Sequence, residues 1–430
     1  MVSTSVPQPQ PETASAAVPA SRMALVVVTS LFFMWGFLTC LNDILIPHLK
    51  ATFSLNYAQS MLIQFTFFGA YFLMSLPAGK LVSRVGYKHS IIVGLAIAGL
   101  GALLFWPAAQ LRVYELFLGA LFVLATGITI LQVAANPYMT LLGPERTASS
   151  RLNLAQAFNS LGTAIAPLFG GMLILTGAVL GAEQLAALSA PEQLAYQTQQ
   201  AQSVQVPYIG LALALFALAV VVWLFRLPAI ATDGGTATSL GVLRHSHVRL
   251  GVIAIFAYVG AEVAIGSFLV NYLSQPEIGA MTEQHATRYV SAYWTGAMVG
   301  RFIGAALLLR IDPGKLLAVF AGIVVVLLGI TMTSDGMTAV YSIVAIGLFN
   351  SIMFPTIFTL GVAKLGVQTD NASSLLVMAI VGGALVPLAQ GFLADRIGIQ
   401  PAFVLPLLCY LYIMYYGLRG SRVRDVPAVR

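Results

Sequence analysis

Long apolar runs follow one another along almost the whole chain, and twelve of them are long enough to cross a bilayer. A helix needs about 20 residues to cross about 30 Å of hydrocarbon, whereas a barrel strand needs only about 10. The runs therefore predict twelve membrane-spanning helices. We number them as the first to the twelfth span, with approximate limits 23–49, 57–82, 89–110, 113–142, 151–176, 206–226, 248–274, 286–310, 314–333, 337–363, 371–394 and 400–419.

The polar connections predict how these spans are organised. Residues 1–22 are rich in Pro, Ser, Ala and Gln and lack the basic start and apolar middle of a cleaved signal, so they predict a disordered cytoplasmic tail. Residues 227–246 are rich in Gly, Thr and Ser and predict a cytoplasmic linker between two six-helix bundles, 23–226 and 247–419. Residues 420–430 are predicted to form a second cytoplasmic tail, and residues 177–205 could form a surface helix.

A weak internal repeat supports two related halves. The fifth span contains GTAIAPLFGGML from Gly162, and the eleventh contains GGALVPLAQGFL from Gly382. Transporter halves are often internal repeats, and these two spans hold equivalent places in the halves. The expected fold class is therefore an all-α membrane protein with two pseudo-symmetric bundles of six helices.

Composition excludes a water-soluble protein. The chain has 430 residues, of which 59% are hydrophobic and 8% are charged, while soluble domains have about 25% charged residues. The net charge of +6 comes from basic residues scattered between apolar runs, so no basic face for nucleic acid is predicted.

The distribution of Lys and Arg predicts the orientation in the membrane. With a cytoplasmic N-terminus, 17 of the 21 basic residues lie on the cytoplasmic side. The opposite side keeps Lys50, Arg112, Arg288 and Arg396. Cytoplasmic loops retain positive charge, so both termini are expected in the cytoplasm.

Two carboxylates within the spans are candidates for cation coupling. Asp43 lies late in the first span and Glu262 lies in the seventh, the first span of the second half. A charge in the membrane is costly, so an ionisable residue there is a functional candidate. Because low dielectric disfavours the charged form, either carboxyl could exchange a proton near neutral pH as water access alternates. The alternative is an acid satisfied by neighbouring hydroxyl groups or an Arg.

Arg301 is the basic counterpart within a span. It lies in the eighth span, about nine residues before the predicted cytoplasmic end, which a long Arg side chain can approach. Gly296, Gly300 and Gly304 surround it with a close-packing face. We expect a structural role for Arg301.

The fourth span carries two amides on one face. Gln132 and Asn136 are four residues apart, and Pro137 cannot donate to the carbonyl of Val133, which predicts a kink and a free acceptor. Such a face suits a polar ligand.

Further amides and aromatic rings extend this candidate substrate site. The amides are Gln156 and Asn159 in the fifth span, Gln64 in the second and Asn350 in the tenth, and the possible stacking rings are Tyr71, Tyr258, Tyr293 and Trp294. Any one buried amide can be an interhelical hydrogen bond alone. Together, neutral amides and rings suit the hydroxyl groups and C–H faces of a sugar.

The sequence carries few motifs for other chemistry. The chain has no Walker loop and no HExxH motif, and its two cysteines, Cys40 and Cys409, lie inside apolar stretches. No cofactor, metal site or catalytic residue is expected, and the chain is not expected to be an enzyme.

The loop after the second span, GKLVSRVGYKHS, resembles the short motif between the second and third helices of major facilitator superfamily transporters. Gly79, Arg84, Gly86 and Lys88 match its glycine and basic pattern. Ser83 stands where many members have Asp, which weakens the charge relay that the resemblance implies for the cytoplasmic side.

Four strings resemble the L-fucose:proton symporter family, particularly its bacterial glucose and galactose transporter branch. They are FMWGFLTCLND, LQVAANPY, RLNLAQAFNSLGT and FNSIMFPTIF. The resemblance implies a central cavity, alternating access and uptake of a monosaccharide with protons across the bacterial inner membrane. It implies that Asp43 is the essential first-helix carboxylate and that Gln156 and Asn159 contact sugar. Gln132 departs from the family, since fucose transporters have Glu there, so coupling falls to Asp43, alone or with Glu262, or the ion is sodium.

The expected function is therefore monosaccharide import by cation symport, with the protein acting as a monomer in the lipid bilayer. An N-acetylglucosamine or fucose permease and a sodium-coupled symporter remain open. A drug:proton antiporter is a further alternative, although the amide cluster argues against it. A membrane-embedded enzyme or sensor lacks a nucleophile and base pair.

Overall fold

The computed structural model describes residues 23–37, 57–111, 113–173, 205–232 and 239–423, with short pieces between 187 and 198. The predicted tail 1–22, Asp43, linker positions 233–238 and the chain end from 424 lie outside the described residues.

Helices account for every predicted span of the first half. The first span is described over Met23–Phe37. The second and third spans form Tyr57–Leu111, the fourth is Tyr114–Leu141, the fifth is Ala148–Leu173 and the sixth is Gln205–Leu224.

The second half contains the remaining six spans, three of them interrupted. The seventh span is Ser246–Leu273, the eighth Glu283–Leu307 and the ninth Pro313–Thr333. The tenth consists of Gly336–Asn350 and Met353–Gly361. The eleventh consists of Thr369–Met378, the 3-10 turn Ala379–Val381 and Gly382–Ile397. The twelfth consists of Ile399–Ala402, Val404–Tyr415 and the π turn Tyr416–Gly420.

Among the described residues, eight helices are long and apolar enough to cross a membrane. A shorter apolar helix covers Met23–Phe37. Leu62–Leu111 is 50 residues long and therefore contains two crossings. The fifth and eighth spans are 26 and 25 residues long, and Ser150 and Arg301 form hydrogen bonds between them.

The reversal between the second and third spans occurs at one glycine. Gly86 has φ 78° and ψ 170°, outside the helical region, while the residues on both sides are helical. A side chain would be strained at this positive φ, so glycine lets the chain turn back within one residue.

The tenth and eleventh spans differ from their prediction as continuous helices. The tenth stops at Asn350 and restarts at Met353, just before Pro355. A proline has no N–H and crowds the carbonyl four residues earlier, which interrupts the helix. The eleventh tightens into a 3-10 turn just before the glycine pair at 382–383.

Large apolar side chains cover the outer surface of the bundle. Leu213 and Trp223 of the sixth span, Val326 of the ninth and Phe392 of the eleventh are each more than half exposed. Water-soluble proteins rarely present such extensive apolar surface. Hydrocarbon is the solvent that suits this surface.

Candidate functional site

The amide of the fourth span is buried between helices of the first half. Gln132 is 5% exposed, and its Nε2 donates to the hydroxyl of Tyr71, 2.7 Å away in the second span. Its Oε1 is buried with no hydrogen-bond partner among the described residues. Because an unpaired buried acceptor is costly, this oxygen is a candidate contact for a ligand hydroxyl.

The predicted free acceptor at Val133 is present and is used. Ser373 of the eleventh span donates its hydroxyl to the carbonyl of Val133 at 2.9 Å. Pro137 lacks the N–H that would otherwise reach this carbonyl. The proline of one half therefore creates an acceptor for the other half.

Asn136 lies one helical turn from Gln132 and is fully buried. Neither its Oδ1 nor its Nδ2 has a hydrogen-bond partner in the described part of the chain. The predicted shared face is thus buried in this conformation.

The fifth span presents the other predicted substrate amides. Gln156 is buried, and Asn159 is half-buried and donates from Nδ2 to the carbonyl of Phe32 at 2.9 Å. A Cβ at Gly36 would lie 1.9 Å from the Asn159 carbonyl oxygen, so the first and fifth spans touch through backbone here. Gln64 of the second span is half-buried.

In the second half, Asn350 occupies the centre of a polar cluster. Its Nδ2 donates to the hydroxyl of Tyr293 at 2.7 Å, and its Oδ1 accepts from the hydroxyl of Tyr410 at 2.8 Å. All three residues are fully buried. They join the eighth, tenth and twelfth spans, and both ends of the amide are satisfied.

Glu262 adds an ionisable group to this cluster. The hydroxyl of Tyr258, one turn earlier in the seventh span, lies 2.7 Å from Glu262 Oε1. The same hydroxyl lies 3.0 Å from the backbone carbonyl of Asn350. Arg301 of the eighth span donates to the carbonyl of Ser351, the residue that follows Asn350. The predicted acid and the predicted basic residue are thus neighbours in one cluster.

The side chain of Arg301 forms hydrogen bonds between the two halves. It does not reach along its own helix toward the cytoplasmic end, as the sequence had led us to expect. Its Nη1 donates to the carbonyl of Gln156 at 3.2 Å and also bonds to the hydroxyl of Ser160, both in the fifth span. Its Nε donates to the carbonyl of Ser351 at 3.2 Å. Three donors of one guanidinium group therefore hold the fifth, eighth and tenth spans together.

Polar side chains join the halves along a seam near one end of the spans. We call this set the inter-half seam; its members are Ser149, Ser150, Asn153, Arg301, Thr356, Thr359 and Ser373. The hydroxyl groups of Ser149 and Thr359 lie 2.6 Å apart, Ser150 donates to the carbonyl of Ala305 at 2.7 Å, and Asn153 donates to Thr356 at 3.3 Å.

The loop motif between the second and third spans contributes to both halves. A Cβ on Gly79 would lie 2.7 Å from Cβ of Ser374, so glycine allows the second and eleventh spans to touch. Lys88 donates to the carbonyls of Trp223 and Phe225 at 2.9 and 2.7 Å, where a cation suits the negative end of the sixth-span helix. Arg84 is exposed.

Sequence reasoning identified the central amides and acids but missed several of their partners. The missed residues are Ser149, Ser150, Asn153, Ser373 and Tyr410. Ser373 lies in the polar string TDNASS at the start of the eleventh span, which is a usable signal. Tyr410 stands in an apolar run without any such signal. Within the described residues, no cluster of His, Cys, Asp and Glu could hold a metal ion.

The sequence profile of the Major Facilitator Superfamily matches residues 24–379 of this chain. The chain belongs to the Major Facilitator Superfamily. Members are transporters built from twelve membrane-spanning helices, so the chain is an integral membrane transporter and not an enzyme. The predicted fold of two pseudo-symmetric six-helix bundles is confirmed.

Similar proteins place the chain more closely within the superfamily. It is 53% identical to the glucose/galactose transporter of Brucella abortus over 425 residues, which cover 98% of this chain and 100% of the relative. It is 40% identical to the L-fucose-proton symporter of Escherichia coli over 401 residues, 91% of each chain. The crystal structure of the superfamily transporter FucP in the outward conformation matches with a TM-score of 0.86 and 38% identity, over 94% of this chain and 99% of that one.

Proposed function

We propose that this superfamily member imports a monosaccharide of the glucose or galactose type together with a proton. The observation that carries the proposal is the pair of buried, neutral amides at Gln132 and Asn350, each held by a tyrosine hydroxyl. Amides both donate and accept, as sugar hydroxyl groups require. The similarity to a glucose/galactose transporter over nearly the full length of both chains supports the same substrate class.

Sugar recognition is assigned to amides and aromatic rings on the spans of both halves. We assign it to Gln132, Asn136, Gln156, Asn159, Gln64, Asn350, Tyr258 and Tyr293. Gln132 offers its Oε1, which has no hydrogen-bond partner among the described residues. Asn136 is buried in this conformation and would contact sugar only after the helices rearrange.

Proton coupling is assigned to Asp43 and Glu262. The hydroxyl of Tyr258 lies 2.7 Å from Glu262, and Arg301 belongs to the same polar cluster. Protonation of Glu262 therefore changes the net charge of this cluster. Similarity to an L-fucose-proton symporter supports a proton as the coupling ion. A sodium ion is the alternative that the experiment below distinguishes.

For alternating access, we propose that the inter-half seam acts as the gate on one side of the membrane. The seam lies at the end of the spans where the basic residues cluster, which the positive-inside rule assigns to the cytoplasm. Closure there corresponds to a conformation open to the outside, as in the outward FucP structure. Opening to the cytoplasm would require the bundles 23–226 and 247–419 to rock apart around the linker 227–246.

The remaining assignments concern the cell. Both termini, including the tails 1–22 and 420–430, are placed in the cytoplasm, and the protein in the inner membrane of a bacterium as a monomer. Gly79, Arg84, Gly86, Lys88, Pro137 and Arg301 are assigned structural and gating roles on that side.

The test uses purified protein in liposomes, with labelled glucose or galactose and either a pH gradient or a sodium gradient. Uptake driven by the pH gradient alone is the expected result. Uptake driven by sodium alone would overturn proton coupling, and movement of only fucose or N-acetylglucosamine would overturn the substrate class. Glu262→Gln should lose gradient-driven uptake, while Glu277→Gln, an exposed acid after the seventh span, is the matched control.

A further inference from the structure

The hydroxyl of Tyr258 lies between two acceptors that compete for one hydrogen. It is 2.7 Å from Glu262 Oε1 and 3.0 Å from the backbone carbonyl oxygen of Asn350. A phenol has a single O–H hydrogen, so Tyr258 can donate to only one of them at a time. The charge of Glu262 decides which acceptor is stronger, because a hydrogen bond to an ionised carboxylate is about twice as strong as a neutral one.

The second acceptor stands at the break in the tenth span. The helix ends at Asn350 and restarts at Met353, and Pro355 has no N–H to give to the carbonyl of Ser351. Arg301 donates to that carbonyl instead. Side chains from the seventh and eighth spans therefore bond the carbonyls of two consecutive residues at the break.

The side chain of Asn350 has less freedom to respond. Its Nδ2 donates to Tyr293 and its Oδ1 accepts from Tyr410, at 2.7 and 2.8 Å. The backbone carbonyl is thus the group of Asn350 whose hydrogen bond can change with the charge of Glu262.

Glu262 is the only group of its polar cluster, among the described residues, that is expected to change charge in the physiological pH range. Among the described residues, those facing it are Tyr258 from its own span, Arg301 and Tyr293 from the eighth, and Tyr410 from the twelfth. Phenols and guanidinium groups keep their protons in the physiological range. A proton taken up by this cluster is therefore placed on Glu262.

We propose that Tyr258 is a positioning residue that passes the protonation state of Glu262 to the break in the tenth span. When Glu262 is ionised, Tyr258 donates to its carboxylate. When a proton from water forms the O–H bond of Glu262, that O–H donates to the Tyr258 oxygen, and Tyr258 turns its own hydrogen to the Asn350 carbonyl. Tyr258 neither gains nor loses a proton, so the step balances.

The break is well placed to affect gating. The part of the tenth span that follows it carries Thr356 and Thr359, which bond to Asn153 and Ser149 of the fifth span in the inter-half seam. A change in hydrogen bonding at Asn350 acts on the start of this segment. The inference rests on the proposed proton-coupled function and adds a route from the acid to the seam.

The test compares Tyr258→Phe, Glu262→Gln and Tyr410→Phe in the full-length protein. Tyr410→Phe is the matched control because it removes a buried hydroxyl bonded to the same Asn350, but to its side chain. Two readouts are recorded between pH 5 and pH 9, roughly the range over which a perturbed carboxyl titrates. They are sugar exchange in liposomes without a gradient, and the infrared carbonyl band of protonated carboxyl groups in detergent without sugar.

The expected result is a flattened pH profile of exchange in Tyr258→Phe and Glu262→Gln, with at least a threefold smaller change across the range than in wild type. Tyr410→Phe should keep the wild-type profile. The component of the infrared band that belongs to Glu262 should be lost in Glu262→Gln. In Tyr258→Phe that component should move to higher frequency, because the protonated carboxyl loses its acceptor.

Two outcomes would overturn the relay. One is a wild-type pH profile in Tyr258→Phe together with a flat profile in Glu262→Gln. The other is an infrared band in Tyr258→Phe identical to that of wild type. If no tested sugar moves while the infrared bands change as expected, the proposed sugar transport has failed and the hydrogen-bond switch has not.

Discussion

The fourth and tenth spans contain the same local design in the two halves of the molecule. Gln132 stands five residues before Pro137, and Asn350 stands five residues before Pro355. Each amide nitrogen donates to a tyrosine hydroxyl at 2.7 Å. The acceptor is Tyr71 of the second span for Gln132, and Tyr293 of the eighth span for Asn350. A helix with a fixed amide five residues before a proline is therefore used twice.

The two copies differ in how the amide oxygen is treated. Gln132 Oε1 has no partner among the described residues, whereas Asn350 Oδ1 accepts from Tyr410. In the second copy, the hydroxyl of Tyr258 also contacts Glu262 and the backbone carbonyl of Asn350. The first copy is thus open to a ligand, and the second is closed and connected to an ionisable group. The same scaffold thus holds its amide differently in the two halves.

The prolines also release carbonyls with different uses. Val133 accepts from Ser373 across the halves, while Ser351 accepts from Arg301 within the second half. Arg301 then reaches the fifth span through its other nitrogen. Both released carbonyls are therefore bonded by residues of the inter-half seam.

The largest expected effect comes from removing the acid of the first half. A gradient of about one pH unit stores about 1.4 kcal/mol per proton, which supports about tenfold accumulation. Asp43→Asn should reduce the accumulation ratio from about 10 to about 1 while gradient-free exchange persists, as flux measurements in liposomes would show. Asp335→Asn, an exposed loop acid, is the control. Retained accumulation in Asp43→Asn would mean that Glu262 alone couples.

Placing an acid on the first copy should make the halves more alike. In Gln132→Glu, Tyr71 can reverse its hydrogen bond and donate to the new carboxylate. If that carboxyl titrates during transport, two protons accompany each sugar, and accumulation under one pH unit should rise from about 10-fold to about 100-fold. The number of protons per sugar is measured with a pH-sensitive dye. Gln132→Met, of similar shape, should not raise it, and an unchanged number in Gln132→Glu would contradict the idea.

Removing either tyrosine partner should affect the two copies alike. Tyr71→Phe and Tyr293→Phe each leave a buried amide N–H without its acceptor, at a cost of about 1–3 kcal/mol in the free energy of unfolding. Thermal unfolding in detergent measures the loss. Tyr341→Phe, 61% exposed on the outer surface, should change the free energy by less than about 0.5 kcal/mol. A loss confined to one half would show that the copies are not equivalent.

The smallest expected effect concerns one bond of the seam. Ser373→Ala removes the donor to Val133 and should destabilise the closed seam by about 1 kcal/mol, which raises the open fraction about fivefold. The labelling rate of a cysteine introduced by Ala305→Cys, measured from the cytoplasmic side, reports this fraction. Ser374→Ala is the control, since Ser374 bonds within its own helix. Equal labelling in both variants would remove Ser373 from the gate.

The sequence predicted the local features of the site well. Apolar run length predicted the spans, and Pro137 predicted the free carbonyl of Val133, because both follow from properties of a short segment. The amide spacing predicted that Gln132 and Asn136 share a helix face. It did not predict that Asn136 would be buried with no hydrogen-bond partner among the residues that the structure describes.

The sequence did not indicate which residues far apart in the chain would become hydrogen-bond partners. Gln132 and Tyr71 are 61 positions apart, and Ser373 and Val133 are 240 apart. Arg301 illustrates the difference: the sequence shows a long basic side chain near a glycine ladder, but its acceptors lie on the fifth and tenth spans. Nothing in the apolar run around Tyr410 indicates that its hydroxyl meets Asn350.

The sequence by itself determined that this chain is a membrane-spanning helical bundle with amides and acids inside it. Hydrophobicity and missing N–H groups act within one segment, so they can be read without knowing what packs against it. Only the tertiary structure decided that Tyr258 stands between Glu262 and Asn350, and that Arg301 joins the halves. Hydrogen bonds act only over about 3 Å, so their partners are fixed by how the helices pack.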